Sequence, residues 1–283
     1  MRATVRGRAP QFGGEGLVHH RPRRRFAQNF LVDRSTIDRI VASIAPRKDE
    51  HVVEIGPGHG ALTGQLAEQA GELVLVEIDR DLVTTLERQF PDVRVLSADA
   101  LKVDYDTLFD PGVRYRVVGN LPYNISTPLI FRLLAHASRM QDAYFMLQDE
   151  VVARLSARPG QKAWGRLGVM VQYHCQVEPL FGVSPEAFTP KPQVRSRIVR
   201  LQPWDALPHP ASDYGLFERL VRTAFSLRRK TLRNALKSLP DSEALVAEDA
   251  FDFSVRPENL DVADFVAISN ALVRLRPDPD EER

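Results

Sequence analysis

The chain reads as an α/β protein, a doubly wound sheet followed by a smaller C-terminal all-helical domain, and three observations predict it. Short, almost wholly apolar runs alternate with helical patterns from Phe26 to Pro203, which is how strands buried on both faces of a mostly parallel sheet read. A glycine-rich turn, "EIGPGHG", stands between the first of these runs after residue 50 and the helical pattern behind it. Beyond Pro203 the alternation stops and only helical patterns follow.

Taken in order, residues 1–25 carry Arg2, Arg6, Arg8, Arg21, Arg23, Arg24 and Arg25 against one acid, Glu15. So little apolar content cannot bury enough surface to order the segment, which is expected to be a disordered basic extension. An acid-poor, Arg-rich leader also suits an organelle transit peptide or contact with an RNA backbone. "DRSTIDRIVASIAP" spaces Ile37, Ile40, Val41 and Ile44 three and four apart, a helix with one apolar face that Pro46 ends. Val52–Ile55 reads as a strand running through the glycine turn into a helix, and Leu73–Ile78 as the next strand with its own helix, which together make a βαβ unit. "VRVLSADAL" and "YRVVGNLP" are the next two strands, "AYFMLQDEVVARL" a fifth leading into a helix, and "GVMVQYHCQVEPLFGV" and "SRIVRLQP" two more. The prolines of "WDALPHPASD" mark a linker. The expected divisions are therefore the extension at 1–25, the sheet domain at 26–203, the helical domain at 204–275 and an acidic tail at 276–283.

Composition excludes several classes. With 283 residues at 43% hydrophobic content the chain can bury a core. Cys175 is the only cysteine, so no intrachain disulfide or cysteine-cluster metal site forms, and a reducing compartment follows. His19, His20, His51, His59, His136, His174 and His209 show no ligand spacing, and no metal is expected. No apolar run approaches the roughly 20 residues that cross a bilayer, and the N-terminus lacks an apolar secretion segment; the protein is expected in the cytoplasm. The net charge of +1 is uninformative by itself.

Gly56, Gly58 and Gly60 let the backbone turn sharply and approach a ligand at a helix N-terminus. Glu77, at the end of the second strand of the βαβ unit, stands roughly 20 residues on, where a carboxylate can accept from both hydroxyls of a ribose. Asp79 begins the following turn and has the weaker claim. Asp99, in "SADA", can meet an adenine amino group. These features leave S-adenosylmethionine, a dinucleotide and a tight turn without a ligand all open; GxGxG spacing, in place of the GxGxxG that seats a pyrophosphate, favours the methyl donor.

"VVGNLPYNIST" then narrows the choice. Asn120 ends an apolar strand on the sheet edge that holds the glycine turn, where open α/β sheets bind ligands. The exocyclic amine of a nucleobase is a poor nucleophile, because its lone pair is delocalised into the ring. An enzyme must hold that amine by its hydrogens and aim the lone pair. The side-chain oxygen of Asn120 and the backbone carbonyl of Leu121, fixed by Pro122, can accept those two hydrogen bonds, and Tyr123 offers a face for the base. No strong general base is required, since the proton leaves after attack, so the work is positioning and electrostatics. The plain alternative is that Asn120 caps the next helix and Tyr123 packs in the core.

"NLPYNISTPLI" resembles the adenine-N6 methyltransferases of ribosomal RNA. With "RRRFAQNFLVD", "AFTPKPQVRSRIVRL", "AFSLRRKTLRNALK" and "RPENLDVADF" the chain is similar, from about Phe26 to about Leu275, to the KsgA-type dimethyltransferases. The resemblance implies a Rossmann-like methyltransferase sheet and dimethylation, from S-adenosylmethionine, of two adjacent adenosines near the 3′ end of small-subunit (16S) ribosomal RNA. It implies that Asn29 and Leu31 close over the cofactor, Gly56 contacts its methionine part, Glu77 holds its ribose, Asp99 faces its adenine and Asn120 lies between cofactor and substrate amine. Phe188 of "FTPKP" matches the position that stacks on the flipped base opposite Tyr123. One departure stands out: Ala27 replaces the family's glycine in Phe-Gly-Gln-Asn-Phe-Leu, which puts the lid's geometry in doubt if that glycine has positive φ.

Arg228, Arg229, Lys230, Arg233 and Lys237 occur with no acid among them, and on one helix positions 229, 230, 233 and 237 fall on or near one face, a stripe suited to RNA phosphates. Lys191, Arg195, Arg197 and Arg200 form a second basic set, and Arg158, Lys162 and Arg166 a third. Such contacts position RNA without reading its sequence, so target choice falls to the shape of an immature small subunit, with this chain as a monomer. A complete site beside a cationic stripe suits both catalysis and an assembly checkpoint. Macrolide-resistance methylases of large-subunit RNA share "QNFL" and the glycine turn but typically carry Ile-Pro-Tyr, and no hydride-transfer acid for a dehydrogenase is evident.

Overall fold

The computed structural model describes residues 29–227, 229–247 and 250–275; the extension at 1–25, Ala27, Arg228 and the tail at 276–283 lie outside the described residues. The first elements are β1 (Phe30–Leu31) and α1 (Arg34–Ile44). Asp33 caps α1 by accepting from the Thr36 amide at 2.8 Å, the Ile37, Ile40, Val41 and Ile44 stripe is buried, and Ala45 turns left-handed ahead of Pro46. The predicted alternation follows as β2 (His51–Ile55), α2 (Thr63–Gln69), β3 (Glu72–Glu77), α3 (Arg80–Gln89), β4 (Arg94–Ser97), β5 (Tyr115–Asn120), α4 (Ser126–Leu134), β6 (Met140–Gln148) and α5 (Asp149–Ser156). Next come α6 (Arg166–His174), β7 (Cys175–Val183), β8 (Phe188–Thr189) and β9 (Ser196–Pro203), then α7 (Tyr214–Ser226), α8 (Leu232–Leu236), α9 (Ser242–Ala247) and α10 (Val262–Leu275).

The main sheet has seven strands in the order β4-β3-β2-β5-β6-β9-β7. β4 through β6 are parallel; β9 runs antiparallel to both β6 and β7, so the sheet is mixed at one side. Alternate residues serve opposite faces: Val53, Val74, Val117 and Phe145 pack with α4, α5 and α6, whereas Val52, Leu75, Val118 and Tyr144 pack with α1, α2 and α3. β2 has β3 on one side and β5 on the other, so chain order reverses there, and a crevice opens outside the carboxyl ends of these strands. The amino ends are closed instead by ions. Arg116 on β5 donates to both carboxylate oxygens of Asp142 at 2.8 and 3.0 Å and to Glu50 at 3.0 Å, all three buried.

Two expectations are corrected. The first half of "GVMVQYHCQVEPLFGV" is helical, because α6 runs to His174 and the strand begins only at Cys175. α6 is apolar nearly all round because it lies between two cores: Leu167 and Val171 face the sheet, while Val169, Met170 and Tyr173 pack with the C-terminal helices. A helix buried on all sides loses the one-faced period that distinguishes it from a strand. Secondly, Arg229, Lys230, Arg233 and Lys237 do not share one helix. α7 ends at Ser226 and α8 starts at Leu232, with a turn in which the Lys230 amide donates to the Leu227 carbonyl at 2.8 Å. The apolar stripe of α7 ends at Ala224, and Leu227 is exposed; Leu232, Ala235 and Leu236 reach the same core from a new direction, with the Leu232 and Arg233 amides bonded to the Val255 and Phe253 carbonyls.

Candidate active site

The crevice is lined by the ends of four parallel strands and by the start of β1 with the residue before it: Asn29 and Phe30, Ile55, Gly56 and Gly58, Val76 to Ile78, Ala98 to Leu101 and Asn120 to Ile125. The glycine turn has positive φ at Gly56 (66°), Gly58 (59°) and Gly60 (82°), a conformation that L side chains rarely adopt. A Cβ on Gly58 would lie 3.0 Å from the Phe30 ring, so a side chain there would press on the N-terminal segment as well as strain the turn.

Glu77 is buried at the end of β3 and clamped by backbone. Its Oε1 accepts from the Ile78 and Asp79 amides, each at 2.9 Å, and among the described residues its Oε2 accepts only one long bond, from the Gly58 amide at 3.4 Å. Oε2 therefore keeps acceptor capacity for a ligand hydroxyl. Burial raises the Glu77 carboxyl above its ordinary pKa despite those three N–H groups. Asp79 accepts from the Asp81 amide as the cap of α3, consistent with its weaker claim. Ile78, 45% exposed, supplies apolar wall, and Asp99 accepts from the Leu101 amide at 3.0 Å while lining the crevice.

Asn120 stands at the carboxyl end of β5. Its Nδ2 donates to the Asn29 carbonyl at 3.0 Å, which orients the amide with Oδ1 turned away from that partner. Neither Asn120 Oδ1 nor the Leu121 carbonyl has a hydrogen bond among the described residues. Asn120 does not cap α4, whose N-cap is Ile125 without a side-chain bond. Gly119, just before it, has no room for a Cβ, which would meet the Ile55 carbonyl at 2.8 Å and Leu121 Cδ2 at 2.7 Å. The Leu121 side chain is buried in the core on the α4 side, and the residue also lines the crevice. Tyr123 is half-buried and lines the crevice, with its hydroxyl 3.0 Å from Ser196 Oγ.

The structure thus gathers Asn29, Gly56, Glu77, Asp99, Asn120, Leu121 and Tyr123 around one space. Leu31 and Phe188 are not among its lining: they face each other across the β1–β8 pairing, buried in the core on the α1 side, with Phe188 4% exposed. Phe30, Ile78, Glu54 and Ser196 escaped sequence reasoning. Glu54 carried a legible signal, an acid inside an apolar strand. It is 2% exposed, Thr63 donates to its Oε2 at 2.6 Å, and burial pushes its carboxyl up to about 7.

The cationic residues are elsewhere. Arg229, Lys230, Arg233 and Lys237 are exposed, and none has a carboxylate partner among the described residues; Arg228 lies outside them. The second basic set is largely neutralised, Lys191 by Glu186, Arg197 by Asp149 at 2.5 Å and Arg200 by Asp142 at 3.0 Å, and in the third set Arg166 pairs with Glu218 at 3.0 Å. Among the described residues Asp104, Asp106 and His136 bring potential metal ligands within 4.8 Å of one another. His136 Nδ1 lies 2.9 Å from Asp106, and Arg139 donates to the Asp106 and Asp110 carbonyls, so a guanidinium already occupies that neighbourhood.

A glycine turn with three left-handed residues, a clamped carboxylate one strand away and an amide-bearing strand end make this a Rossmann-like methyltransferase that uses S-adenosylmethionine. Residues 19–273 match the family described as ribosomal RNA adenine dimethylase. The chain belongs to that family, and is an adenine dimethyltransferase of ribosomal RNA. It is 54% identical over 256 residues, 89% of this chain and 96% of the relative, to the ribosomal RNA small subunit methyltransferase A of Pseudomonas putida. To the protein of the same name from Pseudomonas aeruginosa it is 52% identical over 262 residues, 92% of this chain and 97% of the relative. Among solved structures, a dimethyladenosine transferase from Plasmodium falciparum superposes with TM-score 0.74 at 26% identity over 84% of this chain and 95% of that one. The 23S rRNA methyltransferase ErmE gives TM-score 0.66 at 27% identity over 87% and 100%.

Proposed function

We propose that this chain dimethylates the N6 amines of two adjacent adenosines near the 3′ end of small-subunit ribosomal RNA, acting in the cytoplasm as a monomer on an immature small subunit. The observation that carries the chemistry is the Asn120 amide: its nitrogen is held by the Asn29 carbonyl, its oxygen and the Leu121 carbonyl have no hydrogen bond among the described residues, and both residues line the crevice. The small-subunit target is supported by relatives of that name that match 96% and 97% of their own length.

S-Adenosylmethionine, when bound, supplies a methyl group already activated as a sulfonium. Glu77 Oε2 would hold the ribose, Asp99 and the apolar wall at Ile78 would hold the adenine, and the backbone at Gly56 would lie against the methionine part. Asn120 Oδ1 and the Leu121 carbonyl take the two hydrogens of the substrate amine and so direct its lone pair at the methyl carbon. The ring of Tyr123 bears on the extruded base. As the nitrogen–carbon bond forms and the sulfonium's carbon–sulfur bond breaks, releasing the neutral thioether, those two carbonyl oxygens would stabilise the cationic nitrogen until its proton passes to solvent. In this reading 26–203 is the catalytic unit, and 204–275 brings Arg229, Lys230, Arg233 and Lys237 to RNA phosphates.

The test is mass spectrometry of nuclease-digested RNA after incubation with S-adenosylmethionine and unmethylated small subunits, or naked large-subunit RNA. Two adjacent dimethyladenosines confined to the small-subunit fragment are expected. Modification of the large-subunit RNA instead overturns the assigned target.

A further inference from the structure

Tyr123 is the one aromatic ring in the Asn-Leu-Pro-Tyr turn, and its ring is tethered at both ends. The backbone end is held by the turn: the Ile125 and Ser126 amides both bond to the Pro122 carbonyl at 3.1 Å, and Ser126 Oγ donates to the Tyr123 carbonyl at 3.2 Å. The far end is held by a single hydrogen bond, 3.0 Å between the phenol oxygen and Ser196 Oγ. Ser196 is 1% exposed and is not part of the crevice wall. It is the first residue of β9, paired with Gln148 on β6 and Val183 on β7, and so as rigidly placed as any residue near the site. Its neighbours reinforce this, since the Asp149 amide bonds to the Arg195 carbonyl at 3.0 Å and Arg197 pairs with Asp149.

We propose that Ser196 is a positioning residue for the methyl transfer: its hydroxyl fixes the ring of Tyr123 at the angle at which an extruded adenine stacks. This rests on the reading of Tyr123 as the platform for the base. A half-buried tyrosine in an open crevice has freedom about χ2 and several side-chain rotamers, and a base resting on a mobile ring keeps its amine aligned with Asn120 for only part of the time. A buried serine hydroxyl with no other bonding partner among the described residues is costly to keep unless its bond serves the fold or the site. β9 is already held by two neighbouring ladders, so the bond is placed to serve the ring. It also joins the segment Thr189–Arg195, which enters from β8 and carries the exposed Val194, to the turn that carries Asn120.

The test is a double-mutant cycle on the full chain, with turnover, RNA KM and cofactor affinity measured for Ser196→Ala, Tyr123→Phe, the double variant and Tyr123→Ala. Melting curves confirm that each variant is folded. Ser196→Ala and Tyr123→Phe are each expected to lower kcat by about threefold to tenfold, the range set by one neutral hydrogen bond. Cofactor affinity should not move, and the double variant should be no slower than either single one. A merely structural serine predicts multiplied losses, or a loss of stability with kcat intact, and either result overturns the inference. Tyr123→Ala separates the two layers: wild-type turnover in that variant removes the platform reading itself. A large loss there with Ser196→Ala at wild-type turnover removes only the role of Ser196.

Discussion

Asn120 shows how a single side chain at the crevice is set by a partner distant in sequence, and Glu54 how one is set by burial. Asn120→Ala removes one of two acceptors for the amine while its backbone stays in the β5 ladder, so turnover should fall about 100-fold or more, with cofactor affinity by calorimetry nearly unchanged. Turnover within twofold of wild type contradicts the role assigned to the amide. Glu54 leads to a statement about pH. Burial pushes its carboxyl up to about 7, so the folded chain holds that proton more tightly than the unfolded chain does. The stabilisation this brings is complete below the ordinary carboxyl range and is lost as pH rises through 7. In cofactor-free protein, Glu54→Gln should match wild type at about pH 4, below the ordinary carboxyl value, and exceed it at pH 8 by roughly 1–3 kcal/mol, seen as a higher melting temperature. Equal stabilities at pH 8 refute the shift. Glu54 was visible in sequence as an acid in an apolar strand, whereas Ser196 was one hydroxyl among many until β9 brought it under Tyr123.

At the scale of elements, β5 must lie close against β2 for Asn120 to reach the crevice, and Gly119 permits it. In Gly119→Ala the new methyl meets the Ile55 carbonyl, a backbone atom fixed in the ladder. Strand separation should cost about 1–3 kcal/mol and displace Asn120, lowering turnover by more than the stability loss accounts for. The turn between α7 and α8 makes a different prediction. Alanine at Arg229, Lys230 or Arg233 should weaken RNA binding uniformly across sequences and reduce the slope of log affinity against log salt by about 0.7–0.9 per cation, without affecting cofactor binding. An unchanged salt slope removes that cation from the interface. The elements of the βαβ unit were legible because their apolar periods are local. α6 was not, since its period is erased by burial on every side, and neither was the break after Ser226, because a basic exposed run looks the same in a helix or a turn.

At the scale of the whole molecule, α6 is shared: Leu167 and Val171 belong to the sheet's core and Val169, Met170 and Tyr173 to that of the C-terminal helices, with Arg166 tied to Glu218 on α7. Unfolding should therefore be one transition, and Met170→Ala should lower stability by about 2–5 kcal/mol in both regions together, read by calorimetry as a single shifted peak. Two separating peaks contradict the shared core. Among the described residues no helix is long and apolar enough to cross a membrane. The sequence by itself determined the alternation of strands and helices, the left-handed glycine turn, and Glu77, Asp99 and Asn120 as the polar groups at strand ends, because these depend on local period and on which residues tolerate a tight turn. Only the tertiary structure decided the reversed direction of β9, the burial of Leu31 and Phe188 away from the crevice, the neutralisation of Arg197 and Arg200, the turn that breaks the cationic run, and the bonds from Asn29 to Asn120 and from Ser196 to Tyr123. Each of these depends on which distant segments meet, and a hydrogen bond or ion pair spanning 48 to 91 residues leaves no period in the chain for a reader to find.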